Sequence, residues 1–160
     1  MIQKTNLKPF FISALATILL DQVSKIVVVN FLTPFELPTE LIGSYLRFKL
    51  TYNPYGVFGI PFGPGALYYI FSIVGAIILI YVGLTLKDKV AVIVFGFIIG
   101  GAIGNIVDRL RLDYVIDFID MGVGNMRWFT YNLADAFITV GAIFFIAREI
   151  FSKKSVAPNS

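Results

Sequence analysis

Four stretches of this chain are apolar for about 20 residues each, the length a helix needs to cross the hydrocarbon core of a bilayer. They run over residues 9–32, 66–86, 90–108 and 132–150 in round terms. A segment surrounded by lipid must satisfy its own backbone polar groups, so each is read as a helix. Charged residues make up only 14% of the chain and mean hydropathy is +0.83, where a soluble domain carries about 25% charge. The expected fold is an all-α integral membrane bundle of four transmembrane helices with a small β-rich outer loop platform. It forms one membrane domain over residues 1–160 with no separate soluble domain.

Residues 1–8 followed by the apolar run Pro9–Leu20 could imitate a secretory signal peptide. Against that, Asp21-Gln22-Val23-Ser24-Lys25 follows and Ile26–Val29 resumes the apolar run, with no convincing cleavage site. An uncleaved helix is expected. The second span is closed by Lys87-Asp88-Lys89, and the third is uncharged from Val90 through Val107. Within it Gly96, Gly100 and Gly104 recur at four-residue spacing, a pattern that lets another helix come close. The fourth ends near Arg148, leaving residues 151–160 as a cytoplasmic tail whose last six residues, Ser155–Ser160, read as disordered.

Orientation follows from the basic residues at the span ends. Lys4, Lys8, Lys87, Lys89, Arg148, Lys153 and Lys154 fall on one side, and Arg47, Lys49, Arg109, Arg111 and Arg127 on the other. The majority places both termini in the cytoplasm, so the connections over residues 33–65 and 111–131 face outward. In the first of these, Leu46, Phe48, Leu50 and Tyr52 alternate with Tyr45, Arg47, Lys49 and Thr51, the period of an amphipathic strand. Asn53-Pro54-Tyr55-Gly56 supplies a turn, after which Val57–Ile60 could return as a second strand. Together with Trp128, Phe129, Tyr131, Tyr68 and Tyr69, the strand's apolar face suits either an interfacial anchor or a substrate platform.

Ionisable groups beside apolar spans are costly and therefore candidates for function. Asp117 and Asp135 stand out, because the chain has no His and no Cys. That removes thiol catalysis, disulfides, the usual zinc ligands and the usual general base. No metal site, cofactor or nucleic-acid character is expected, the net charge of +3 being explained by lysines at span ends. Asp21 and Lys25 share a helix face and serve either as a structural ion pair or as a substrate contact. A Ser24–Lys25 catalytic pair is badly aimed, since adjacent helical residues diverge by about 100°. Gly101, Asn105 and Asp108 form a stripe at the outer end of the third span, with Arg109 beside it as a satisfied terminus or an anchor for an anionic partner such as a lipid phosphate. Asn132 reads either as the N-cap of the fourth span, with Asp135 in its first turn, or as part of a site.

Two carboxylates brought close cannot readily both ionise; one keeps a proton while the other stays charged. Such a pair activates water against a peptide carbonyl and protonates the departing amine. A small four-span proton-coupled transporter built on an intramembrane Asp is the main competing reading. A structural subunit of a larger complex is the third. Acids near one surface rather than the midplane, and the lack of an evident internal repeat, weigh against transport.

Five segments then carry a resemblance: Asp21–Lys25, Asn53–Gly59, Gly100–Arg109, Val115–Asp120 and Tyr131–Asp135. In order and spacing, the chain resembles lipoprotein signal peptidase (signal peptidase II), the bacterial membrane aspartic peptidase. The resemblance implies that Asp117 and Asp135 are the catalytic pair. It implies that Asn105, Asp108, Arg109 and Asn132 shape the site and hold substrate, and that Asp21, Lys25 and Asn53 support it; Gly101 falls within the same matched stretch. The implied substrate is a diacylglyceryl-modified prolipoprotein, cleaved just before its lipidated Cys in the inner membrane. Globomycin-type cyclic peptides are the implied inhibitors, and membrane lipid and a monomeric state are expected. One departure is visible: the family usually has Gly two residues after the Asn of the outer-loop motif, where this chain has Tyr55 and then Gly56. A changed turn is expected there.

Overall fold

The computed structural model describes residues 4–34, 36–56, 61 and 63–154. Its elements are helix α1 (Lys4–Phe31), strands β1 (Thr39–Ile42) and β2 (Leu46–Asn53), helices α2 (Gly65–Thr85) and α3 (Lys89–Leu112), strands β3 (Val115–Val123) and β4 (Met126–Arg127), and helix α4 (Leu133–Lys154). Among the described residues, three helices are long and apolar enough to cross a membrane: Leu7–Phe31, Gly65–Thr85 and Lys89–Leu112. Helix α4 spans 22 residues but includes Asp135, Arg148 and Glu149, so length and apolarity mark three of the four expected spans. It also continues through Lys154, four residues beyond the expected end.

Helix α3 is the hub. Inside its apolar window 61% of residues are buried, against 33% in α1 and 17% in α2. Small residues make this possible. A Cβ on Gly100 would fall 2.5 Å from the Ala14 carbonyl oxygen, and one on Gly104 would fall 2.5 Å from Asp21 Oδ2. The glycine series expected to admit a helix therefore admits α1. Gly101 points to the neighbouring face, where a Cβ would lie 2.5 Å from the Ala134 carbonyl oxygen of α4. Phe10, Ala14, Ala76, Val92, Phe95 and Ile99 close the apolar core between α1, α2 and α3.

Both ends of α3 are capped. At its start the Asp88 carboxylate accepts from Ala91 N–H at 2.7 Å and pairs with Arg148 of α4. At its end Asp113 adopts a left-handed conformation, φ 67°, and its N–H reaches the Arg109 carbonyl at 3.0 Å. Helix α3 thus runs to Leu112, one turn past the expected boundary at 108.

The four strands form one antiparallel sheet in the order β1-β2-β3-β4. Strand β2 is the one anticipated from the alternation, but its partners are β1 and β3. The return strand expected at Val57–Ile60 and the tail at 155–160 lie outside the described residues. Strand β3 pairs Asp120 with Arg47, Asp117 with Thr51 and Val115 with Asn53. Val115, Ile116, Asp117 and Phe118 are all buried, so β3 is covered on both faces over this stretch. Buried Asp120 accepts from Arg47 at 2.6 Å and from Arg127 at 2.9 Å, locking β2, β3 and the β3–β4 hairpin together.

Candidate active site

The two aspartates arrive from different elements. Asp117 sits within β3, only 2% exposed, while Asp135 occupies the first turn of α4 and is half-buried. They flank one cavity of about 1110 Å³ that runs from the sheet along the bundle. Its walls include Tyr68 and Phe71 of α2, Asn105 and Arg109 of α3, Ile138 of α4 and Trp128 after β4.

Asn132 joins the two acids. Its Oδ1 accepts the Asp135 backbone N–H at 2.9 Å, and Asp135 Oδ2 accepts the Asn132 backbone N–H at 3.4 Å. This reciprocal pair is a capping box, and it starts α4. With the amide oxygen committed to a backbone donor, the Nδ2 end is turned toward Asp117 Oδ1 at 2.7 Å. The same nitrogen lies 3.1 Å from Asn105 Oδ1 and 3.3 Å from the Ile116 carbonyl oxygen. The N-cap and the site residue foreseen as alternatives are one side chain, fully buried.

Two further amides complete the surroundings. Asn53, the last residue of β2, donates from Nδ2 to Asp117 Oδ2 at 3.0 Å, and its Oδ1 accepts the Tyr55 N–H at 3.0 Å. Asn105 of α3 donates from Nδ2 to Asp135 Oδ1 at 2.9 Å. Burial is the largest influence on Asp117 and the nearby Asp135 charge the next; together they push its carboxyl up to about 7, although the Asn53 and Asn132 amides favour the charged form.

Behind this layer lies an ionic cluster. Lys25 Nζ contacts Asp21 Oδ2 and Asp108 Oδ2, both at 2.8 Å, and Asn105 Oδ1 at 3.0 Å. All three charged side chains are 2% exposed or less. Asp21 Oδ1 accepts the Ala134 N–H of α4 at 3.0 Å, and Asp108 Oδ2 accepts the Ile116 N–H of β3 at 3.2 Å. Gln22 Nε2 adds a bond to Asp108 Oδ1 at 2.9 Å. Neither Asp21 nor Lys25 is among the residues lining the cavity, and the Asp21–Lys25 pair joins α1 to Asp108 of α3. Ser24 Oγ donates to the Asp21 carbonyl at 2.7 Å and is not directed at Lys25.

Arg109, 8% exposed, does reach the cavity. Its guanidinium donates to the Asn105 carbonyl at 3.3 Å and to the Tyr55 carbonyl at 3.0 Å, while its buried Nε has no partner among the described residues. The turn at Tyr55 is consequently tied to α3 by its backbone, and the Tyr55 ring packs edge-on to Tyr68 at 6.1 Å. Of the sequence-derived set, Asn53, Asn105, Arg109, Asp117 and Asp135 border the cavity; Asp21, Lys25, Gly101, Asp108 and Asn132 stand behind it. The bond from Gln22 and the Arg47–Asp120–Arg127 cluster were not anticipated from the sequence. The only sequence signal for the latter was the presence of opposite charges, Arg47 in one outer loop and Asp120 and Arg127 in the other. Among the described residues no group of three or more His, Cys, Asp or Glu side chains is arranged to hold a metal ion.

The chain resembles known proteins in sequence and in fold. The family described as Signal peptidase (SPase) II matches residues 13–151. The chain is 33% identical over 153 residues to the lipoprotein signal peptidase of Francisella tularensis subsp. mediasiatica (strain FSC147), covering 91% of this chain and 93% of that protein. It is 32% identical over 148 residues to the lipoprotein signal peptidase of Thermodesulfovibrio yellowstonii, covering 92% and 95%. A solved structure described as a bacterial membrane enzyme superposes with a TM-score of 0.85 at 23% identity, covering all of this chain and 98% of the other. A second of the same description gives 0.76 at 24% identity over 89% and 92%. At those identities the structural likeness speaks for the fold alone.

Proposed function

The chain belongs to the signal peptidase II family, and from that premise we propose that it is a membrane aspartic endopeptidase using Asp117 and Asp135 as its catalytic pair. Its substrate is a diacylglyceryl-modified prolipoprotein, and the bond cut lies just before the lipidated Cys. The observation that carries this reading is the convergence of two carboxyls on one cavity, each held by an amide donor that comes from a different element.

The chemistry follows from that arrangement. A water between the carboxyls gives a proton to the ionised one as its oxygen attacks the scissile carbonyl carbon. The protonated one donates to the carbonyl oxygen, and a tetrahedral diol forms. As the C–N bond breaks, the amine departs with a proton from one carboxyl while a diol hydroxyl gives its proton to the other, leaving a carboxylic acid and one proton on the pair. With the carboxyl of Asp117 raised to about 7, the pair as a unit holds one proton near neutral pH. Asn53, Asn105 and Asn132 hold the two groups in place without accepting that proton.

Several finer features belong to the same reading. Helix α4 crosses the bilayer as a fourth span, the termini are cytoplasmic and the sheet stands at the outer face. The acyl chains lie against the apolar wall formed by Phe71, Ile138 and Val140. Arg109, already bonded to a peptide carbonyl at Tyr55, lines the cavity and sets a positive charge beside the substrate. Globomycin-type cyclic peptides occupy the same cavity, and one chain forms a complete site within a single domain.

The test is cleavage of a diacylglyceryl-modified prolipoprotein by purified protein, beside Asp117→Asn and Asp135→Asn variants that retain the wild-type melting transition in detergent. Both variants should lose at least 1,000-fold in kcat, on the order seen when a catalytic group is removed. Turnover surviving in either would refute the two-carboxylate mechanism. Proton-coupled uptake into vesicles without cleavage would return the transporter reading.

A further inference from the structure

We infer that Lys25 is a positioning residue for catalysis: through the Asn105 amide, it fixes the direction in which hydrogen bonds are offered to Asp135. This inference rests on the two-carboxylate reading above and names a control it did not contain.

An amide has two chemically opposite ends, an accepting oxygen and a donating nitrogen. Asn105 can present either its oxygen or its nitrogen to Asp135, and the two ends are sterically alike. Presenting nitrogen steadies an ionised Asp135; presenting oxygen would repel the carboxylate and hold it only when protonated. The neighbours decide. Lys25 Nζ, which can only donate, lies 3.0 Å from Asn105 Oδ1. Asn132 Nδ2 lies 3.1 Å from the same oxygen, and it is itself held in that sense by the backbone N–H of Asp135 on Asn132 Oδ1. With its oxygen claimed by these donors, Asn105 aims Nδ2 at Asp135 Oδ1, 2.9 Å away.

The position of Lys25 is equally constrained. Its three ammonium protons meet three acceptors, Asp21, Asp108 and Asn105, and it is 1% exposed. Two carboxylates would suffice to neutralise a buried lysine. The third bond is the one directed at the site, across the interface between α1 and α3. Asp21 and Asp108 are in turn anchored by the backbone N–H groups of Ala134 and Ile116, one residue before Asp135 and one residue before Asp117. The cluster therefore sets both the backbone positions of the acids and, through Asn105, the polarity of what surrounds them. Removing Lys25 frees Asn105 to turn, although no atom of Lys25 lines the cavity.

The experiment is a double-mutant cycle on the full-length protein in detergent, with Lys25→Met, Asn105→Ala and the combined variant assayed on a diacylglyceryl-modified prolipoprotein. Misorientation of a catalytic group costs on the order of 100-fold. Each single variant should lose about that in kcat with KM within about twofold, and the combined variant should be no slower than the slower single one. Multiplying losses, or a change carried by KM, would overturn the positioning role.

Lys25→Met strands two carboxylates and could fail to fold. Lys25→Met with Asp108→Asn keeps the cluster's net charge and relieves one of them. It should melt near wild type yet remain slow, and a return to wild-type kcat would show that Lys25 acts on stability alone. Asp135→Asn in the same assay separates the two levels. If it cleaves, the two-carboxylate reading fails and the positioning role with it; if it is inactive while the cycle is additive, only the positioning role fails.

Discussion

Asn132 shows how a single side chain can cap a helix and orient a carboxyl of the proposed catalytic pair at once. Its oxygen caps α4 and its nitrogen holds Asp117, so substitutions should separate the two duties. Asn132→Ser keeps a cap acceptor but is too short to serve Asp117. It should melt close to wild type and still lose about 100-fold in kcat. Asn132→Ala should show the same loss together with about 1 kcal/mol of destabilisation; melting curves and turnover on the same preparations check both. Asp117 makes a prediction in pH. Its carboxyl is raised from 3.8 to about 7 in the folded protein, so between these values the native state holds a proton that the unfolded chain has released. Stability on this account is greatest below pH 4, declines as pH rises toward 7 and is level above it. Activity that needs protonated Asp117 should fall along an alkaline limb with an apparent pKa near 7, visible in kcat/KM, and a flat profile to pH 9 would contradict it. The sequence made these groups legible by type, since carboxylates and amides beside apolar spans have few bland uses. It could not reveal the sense of each amide, because that is fixed by donors as far away in the chain as Lys25 is from Asn105, a separation of 80 residues.

Among the elements, legibility tracks how local the governing physics is. Helices α1, α2 and α3 were readable because hydropathy over about 20 residues is a property of the segment itself. Strand β2 was readable for the same reason, its alternation being written in consecutive residues. Strand β3 was not, because Val115 to Phe118 are buried without alternation, under helix ends on one side and against the cavity on the other. The partner of β2 was missed as well, since pairing joins residues as distant as Arg47 and Asp120. Glycine spacing in α3 predicted a close helix contact, and the structure says which helix each glycine serves. Gly104→Ala would set a methyl 2.5 Å from Asp21 Oδ2, in the ionic cluster itself. Overpacking of this kind costs about 1–3 kcal/mol, and cleavage should suffer with stability because Asp21 also anchors Ala134. Gly75→Ala in α2 meets nothing within 4 Å and should melt at or above the wild-type temperature with unchanged turnover. Equal destabilisation by the two would remove the distinction between a packed and an open glycine face.

For the molecule as a whole, the site lies where the sheet meets the ends of α3 and α4, whereas the Asp88–Arg148 pair ties the opposite ends of those helices. A bundle with its chemistry at one end has a defined sidedness in the membrane, and the count of basic residues bears on it only modestly. Arg47 and Arg127, two of the five assigned to the outer side, are folded into the sheet around Asp120 and do not act as free flanking charges. Their removal from the comparison strengthens the expectation of cytoplasmic termini. Because the chain contains no Cys, single cysteines can report on this directly. Glu40 of β1 and Met126 of β4 are exposed at the sheet, and Lys89 and Phe151 are exposed toward the other end. In spheroplasts, a membrane-impermeant maleimide should label Glu40→Cys and Met126→Cys at once, and Lys89→Cys and Phe151→Cys only after permeabilisation. Phe151 is the decisive position. Labelling there from outside while Lys89 stays protected would mean that α4, with its five charged residues, fails to cross, and the substrate's acyl chains would then meet a three-span bundle with the cavity open along the side that α4 is expected to close to lipid.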